Sequence, residues 1–293
     1  MECSQTITRK SASNLALAFG LLPKDKRDGM VALYAFCRQV DDVADDDSIP
    51  VATRASQLAM WRSEIRLACD GGTPSHPVVK ELAGPVRTYG LPFELFDELI
   101  LGVESDLEVT RYATCEDLEL YCYRVASVVG LLSIEIMGYQ DPRCREYAVF
   151  LGKALQLTNI LRDVRNDAER GRIYIPLSEL QRFGVEPRDI LEFRYSDEFY
   201  NLTRSVAGRA RGFYQSARES LADVDRGSMA TSELMATVYW RLLRKLENRR
   251  FNVFDGPAVR LSKPQKLLLV LRAKLRGALG VFSSSYGGAE SSA

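Results

Sequence analysis

The stretch Ala154-Leu155-Gln156-Leu157-Thr158-Asn159-Ile160-Leu161-Arg162-Asp163-Val164-Arg165-Asn166-Asp167 decides the fold. Gln156, Asn159, Asp163 and Asp167 step by three, four and four residues, which stacks them on one face of an α-helix. Leu155, Ile160 and Val164 form an opposing stripe suited to packing. With the apolar stripe at helical spacing beside them, the segment reads as a helix with a polar ligand on every turn. Unpaired carboxylates in such an apolar setting are expensive, and the expense implies a use.

A second segment has the same character. In Tyr34-Ala-Phe-Cys-Arg38-Gln-Val-Asp41-Asp42-Val-Ala-Asp45-Asp46-Asp47, Asp41 and Asp45 lie one turn apart and Arg38 one turn earlier. Like charges at that spacing repel by some tenths of a kcal/mol unless a cation neutralises them. Two carboxylate-rich faces on separate helices suit hard cations, and Mg²⁺ is bound through a few carboxylates, retained waters and phosphate oxygens. Diphosphate is the natural bridging ligand, and Arg38, Arg162, Arg165 and Arg172 are placed to add charge-assisted bonds to it. Asp41–Asp47 alone is matched by an ordinary solvated acidic helix end; the two motifs together carry the argument.

Outward from these motifs, apolar residues recur at three- and four-residue spacing and no period-two runs appear, so the chain is all-α. Helices are expected over about 4–20, 24–46, 51–70, 77–89, 92–106, 115–138, 142–168, 196–223, 228–251 and 263–279. Pro23, Pro142 and Gly90-Leu91-Pro92 mark breaks between them, and none resembles a domain linker. A single domain over 1–282 with a flexible tail over 283–293 is expected. The stretch from about Gly171 to Tyr195 reads as irregular, either a flap beside the acidic motif or a plain connector.

Charge and composition remove several functions. With 39 basic and 39 acidic side chains, the whole-protein field offers nothing to nucleic acid. The six cysteines, at 3, 37, 69, 115, 122 and 144, form no metal-finger spacing and read as reduced thiols of a cytoplasmic protein without a signal peptide. His76 is the sole histidine and sits in a Gly- and Pro-rich turn, so a histidine-built zinc site is excluded and imidazole is not expected to move protons. Val125–Tyr139 is interrupted by Glu135, and Leu267–Leu271 is flanked by Lys266 and Arg272, so no membrane span is expected. The basic, leucine-rich segment Lys263–Phe282 suits either an anionic bilayer surface or packing on the protein body.

Three blocks together resemble the squalene/phytoene synthase family: Tyr-Ala-Phe-Cys-Arg-x-x-Asp-Asp-x-x-Asp at 34–45, Tyr121-Cys-Tyr-Arg-Val-Ala-Ser-Val-Val-Gly130, and Gln156-x-x-Asn-x-x-Arg-Asp-x-x-x-Asp167 followed by Gly171-Arg-Ile-Tyr-Ile-Pro176. Their order and spacing fit the family over about 8–275. The resemblance implies an all-α isoprenoid synthase fold, with helices around an apolar cavity and two aspartate motifs facing across its mouth. It implies that Asp41, Asp45, Asp163 and Asp167 hold Mg²⁺, with Mn²⁺ as an alternative ion, supported by Asp42 and Asn159. By the same likeness Arg38 and Arg162 hold diphosphate, joined by Arg172 and, near the N-terminus, Asn14. Tyr34, Tyr121, Gln156, Tyr174 and Tyr239 would then border the reacting carbons.

The reaction so implied joins two prenyl diphosphates head to head: one ionises to an allylic cation, the second attacks it, and proton loss closes a cyclopropane. With imidazole absent, released diphosphate aided by a tyrosine hydroxyl would accept the proton. Leu33, Phe36, Leu131, Leu132, Ile134 and Leu155 are candidate cavity walls as well as plain core residues. Ser127 stands where a glycine is frequent, which would narrow the space beside Tyr121. The pattern around it is similar to bacterial presqualene diphosphate synthases, so condensation of two farnesyl diphosphates is the first expectation and phytoene synthesis from geranylgeranyl diphosphate the second. Squalene synthesis would also need NADPH, which is not expected. A non-catalytic prenyl-lipid-binding helical protein is the alternative outside enzymes. Peripheral membrane contact fits a greasy product, and both monomer and homodimer remain open.

Overall fold

The computed structural model describes residues 1–10 and 18–287. Asn14, expected beside the diphosphate, lies outside the described residues. The described elements are α1 (Glu2–Lys10), α2 (Lys24–Asp45), α3 (Val51–Cys69), α4 (Pro77–Tyr89), α5 (Phe93–Ser105), α6 (Cys115–Cys122), α7 (Val128–Met137), α8 (Cys144–Glu169), α9 (Leu177–Phe183), α10 (Pro187–Leu191), α11 (Asp197–Ser220), α12 (Ala230–Asn248) and α13 (Lys263–Ala278). Among these residues the only β-pairing is an isolated bridge between Arg111 and Ile173.

Local chemistry fixes the ends. At α4, Pro77 opens the first turn, the Val78 N–H donates to His76 Nδ1 at 3.3 Å, and Gly90 closes the helix at φ +63°. His76 therefore serves as a helix cap, its ring 4.1 Å from that of Trp61, and is absent from the walls of the main cavity. Thr114 with Asp117 and Ser262 with Gln265 form reciprocal capping boxes at α6 and α13. The segment expected to be irregular contains α9 and α10, each too short to show helical periodicity. Of the expected helix over 4–20, residues up to Lys10 belong to α1, and Phe19–Leu21 form a 3₁₀ turn.

The long helix α8 runs through the centre and packs most extensively on α11. Buried Ala207, Ala210 and Ala217 leave room on α11, and Thr158 meets the Tyr214 hydroxyl at 3.2 Å. On its other side α8 meets a π-helical turn, Tyr123–Ser127, that joins α6 to α7. Gly152 makes this approach possible: a Cβ there would lie 2.5 Å from Ser127 Cα. Ser127 is fully buried and donates to the Val149 carbonyl at 2.8 Å. Its side chain is spent on α8, so it does not narrow the cavity beside Tyr121.

The continuous stretch Cys115–Met137 is long and apolar enough to cross a membrane by length and composition, contrary to the expectation from Glu135. Over half of it is buried, and Leu118, Cys122, Val128, Leu132 and Ile136 explain the apolarity by their place in the core. Beyond 282 the chain continues along the body. Tyr286 is buried, packs edge-on to Tyr214 at 5.8 Å, and donates to Glu233, which also accepts from Tyr147 at 3.0 Å and Ser284 at 2.6 Å.

Candidate active site

One end of each polar ladder opens onto a cavity of ≈ 360 Å³, whereas Asp42, Asp45, Asp163 and Asp167 lie outside its walls and Asp167 borders a small neighbouring pocket with Arg172 and Tyr174. Tyr34, Arg38 and Asp41 come from α2, Tyr121 from α6, Gln156 and Asn159 from α8, and Tyr239 from α12. The remaining wall is largely apolar, with Met30, Leu99, Val103, Val129 and Leu151 prominent. Of the candidate wall residues, Ile134 and Leu155 line the cavity. Leu155 thus sits on the ligand side of α8 and not on the packing stripe. Leu33, Phe36, Leu131 and Leu132 are core residues, and Phe36 stacks edge-on against Trp61 and Phe96.

On α2, Arg38 reaches both neighbouring carboxylates, Asp42 at 2.5 Å and Asp41 at 3.4 Å. Asp41 is exposed at the cavity mouth, yet protein surrounds it closely enough that desolvation, together with the like charge of Asp45, pushes its carboxyl up to about 7. Arg38 opposes the rise without cancelling it. Cys37 in the same wall is pushed up to about 12 by burial and by Asp41, which keeps its thiol protonated.

The α8 ladder meets this cluster from the other side. Burial and the charge of Asp163 push Asp167 up to about 7 as well. Asp163 is paired with the adjacent Arg162, whose guanidinium also bonds Tyr239. Asp45 forms ion pairs with Arg170 at 2.8 Å and Arg172 at 3.7 Å, so the residues that follow α8 are tied to the end of α2. Arg165 does not join them: it donates to the Phe254 carbonyl at 2.6 Å and pairs with Glu169.

Asp106, just beyond α5, links both ladders and was not legible in the sequence. Its field raises both Asp41 and Asp167. Tyr121 and Tyr174 each donate to one of its carboxylate oxygens at 2.9 Å, and Arg172 donates to its backbone carbonyl at 3.1 Å. Burial nonetheless pushes Asp106 up to about 6 against those hydrogen bonds. Tyr112 completes an aromatic group, 5.3 Å from Tyr121 and stacked 5.9 Å from Tyr174. The bridge at Arg111–Ile173, with Ile173 N–H donating to the Thr110 carbonyl and Leu177 N–H to the Tyr112 carbonyl, holds Tyr174 in that group.

The donor set fits a divalent cation. Carboxylates with raised proton affinity favour any positive charge that replaces the proton. Asn159 Oδ1 is buried at the cavity wall without a hydrogen-bond partner, although its amide nitrogen donates to Gln156 at 3.4 Å. Among the described residues no three acidic, cysteine or histidine side chains gather around one point. Carboxylates standing singly or in pairs suit an ion whose other ligands are water and phosphate oxygens, as for Mg²⁺.

Comparisons with known proteins agree with this geometry. A family model described as squalene/phytoene synthase matches residues 8–265. The chain is 34% identical over 261 residues to presqualene diphosphate synthase of Rhodopseudomonas palustris, covering 89% of this chain and 92% of that protein. It is also 34% identical over 287 residues to chloroplastic phytoene synthase 3 of Zea mays, covering 95% of this chain but 66% of the longer plant protein. A dehydrosqualene synthase crystal structure superposes with a TM-score of 0.82 at 29% identity, covering 94% of each chain.

Proposed function

The chain belongs to the squalene/phytoene synthase family, prenyltransferases that join prenyl diphosphates head to head, and from that premise we propose that it condenses two farnesyl diphosphates to presqualene diphosphate. The observation that supports the proposal is a cavity with largely apolar walls that Arg38 and Asp41 border from one ladder and Gln156 and Asn159 from the other. Asp41, Asp42 and Asp45 on one side and Asn159, Asp163 and Asp167 on the other would hold Mg²⁺. When bound, the ion supplies Lewis-acid stabilisation of negative charge on the departing diphosphate. Arg38, Arg162 and Arg172 add charge-assisted hydrogen bonds to the same oxygens, and they do so best in the water-poor site. Arg162 would exchange Asp163 for diphosphate as the substrate arrives.

Once the first diphosphate ionises, the allylic cation must meet the second double bond before it meets water. The apolar walls exclude water, and the rings of Tyr34, Tyr121 and Tyr239 present π-faces or hydroxyl dipoles to the positive carbon. Tyr121 and Tyr174 are oriented through Asp106, which fixes where their hydroxyl oxygens point. The proton lost as the cyclopropane closes would pass to released diphosphate, aided by a tyrosine hydroxyl such as that of Tyr121.

The plant relative favours a second reading, phytoene synthesis from geranylgeranyl diphosphate, because the chain is as similar to it as to the bacterial relative and cavity depth sets chain length. Incubation with each diphosphate in turn, with Mg²⁺ and with or without NADPH, tests both. Presqualene diphosphate from farnesyl diphosphate without reductant is the expected product. Phytoene from the longer substrate alone, or no diphosphate release from either, would overturn the proposal.

A further inference from the structure

Helix α13 leaves most of its apolar side uncovered. Leu269 is buried in a small cluster with Leu234, Met235, Val238 and Leu261 that attaches α13 to α12. Leu267, Leu271, Leu275 and Leu279 follow at four-residue steps and are 66%, 52%, 56% and 77% exposed. Residues at that spacing form a single ridge, and the half-exposed Val281 and Phe282 extend it. A ridge of this kind is large for a surface that meets only water.

Charge indicates what covers it. Lys263, Lys266, Arg272, Lys274 and Arg276 lie along α13, and no acidic residue occurs from 263 through 287, although the whole chain is neutral. Beside the ridge, α12, α13 and residues 281–285 enclose a cleft of ≈ 110 Å³ into which Arg241, Arg272 and Arg276 point. Arg241 and Arg272 face each other as like charges, and among the described residues none of the three forms an ion pair. Glu233 also borders the cleft, but its oxygens are taken up by Tyr147, Ser284 and Tyr286. Basic groups bordering a leucine ridge match an anionic phospholipid surface, where phosphates lie just above the acyl boundary.

The location gives the surface a purpose. α12 contributes Met235 and Tyr239 to the main cavity, and Lys266 at the start of α13 lies within the field of Arg162. We propose that α13 and the turn after it dock on an anionic bilayer, with the leucine ridge in the acyl boundary and the Arg241–Arg272–Arg276 cleft receiving a lipid phosphate. Docking there holds the cavity mouth beside the phase in which prenyl chains dissolve. The docking claim stands independently of which prenyl chain is used.

Co-sedimentation of the full chain with vesicles tests it. The protein is expected to pellet with phosphatidylcholine containing about a quarter phosphatidylglycerol, to pellet far less with phosphatidylcholine alone, and to be released by salt. The double variant Arg272→Ala/Arg276→Ala should weaken partitioning on the order of thirtyfold, about fivefold for each charge. Leu267→Ser/Leu271→Ser/Leu275→Ser should abolish it while turnover in detergent solution is kept. Failure of the wild-type chain to pellet with anionic vesicles, equal pelleting with both compositions, or unchanged binding of the leucine variant would overturn the proposal. So would conversion of a dimer to a monomer by the leucine variant, because the ridge would then belong to a second copy. Should either variant fail to fold, the wild-type lipid and salt dependence decides alone.

Discussion

Asp106 accepts a hydrogen bond on each carboxylate oxygen from a tyrosine 15 or 68 residues away in sequence. Asp106→Ala removes both acceptors and leaves the Tyr121 and Tyr174 hydroxyls with only a long contact of 3.5 Å to each other, so at least one donor loses its partner at about 1–3 kcal/mol. A fall in melting temperature together with a loss of turnover is expected, whereas Asp106→Asn, which keeps one carbonyl oxygen, should lose less stability. Wild-type melting and turnover in the alanine variant would show that the tyrosines need no such support. Asp41 and Asp167 make a different prediction. Their folded-state affinity for a proton extends to about 7, well above that of a free carboxyl. Their favourable contribution is therefore complete below the ordinary carboxylate range and is lost as pH rises through about 7. A divalent cation offsets that loss by replacing the proton, so Mg²⁺ should raise the melting temperature more at about pH 8 than at about pH 5. Equal shifts at the two pH values would contradict this assignment.

Helices with full periodicity were legible, and α4 emerged with both ends as Pro77 and Gly90 dictate. Helices α9 and α10 were not, because seven and five residues cannot establish a period against the turn signals around them. The π-turn left no trace either, since an added residue in a helix shows only in its hydrogen bonds. Both polar ladders could be read because each repeats every turn on one face. Asp106 could not, because a lone acid beyond a helix end has no pattern and acquires meaning only beside Tyr121 and Tyr174. The packing of α8 on the π-turn predicts a contrast between two glycines. Gly152→Ala would drive a methyl into the Ser127 backbone, 2.5 Å from its Cα, and should cost about 1–3 kcal/mol while disturbing the cavity wall at Val125 and Ala126. Gly208→Ala on the exposed face of α11 meets nothing within 4 Å and should stabilise by about 0.5–1 kcal/mol. Denaturant unfolding of the two variants measures both signs.

At the scale of the whole molecule, a neutral chain concentrates its charge where it is used. Acid gathers at the cavity mouth, and base collects along α13, where no acid accompanies it. Net composition could exclude nucleic acid, but it could not reveal this separation, which appears only once the helices are placed. Tyr147 borders the main cavity and donates to Glu233, which accepts from Tyr286 near the C-terminal end of the described chain. A purification tag or fluorophore fused close after Tyr286 would therefore tug, through one carboxylate, on the lining of the reaction chamber. Kept at a distance by a long spacer, the same label is expected to be silent; mounted directly, it is expected to change its signal when that chamber fills, and an unchanged signal on adding substrate would show that the carboxylate transmits nothing.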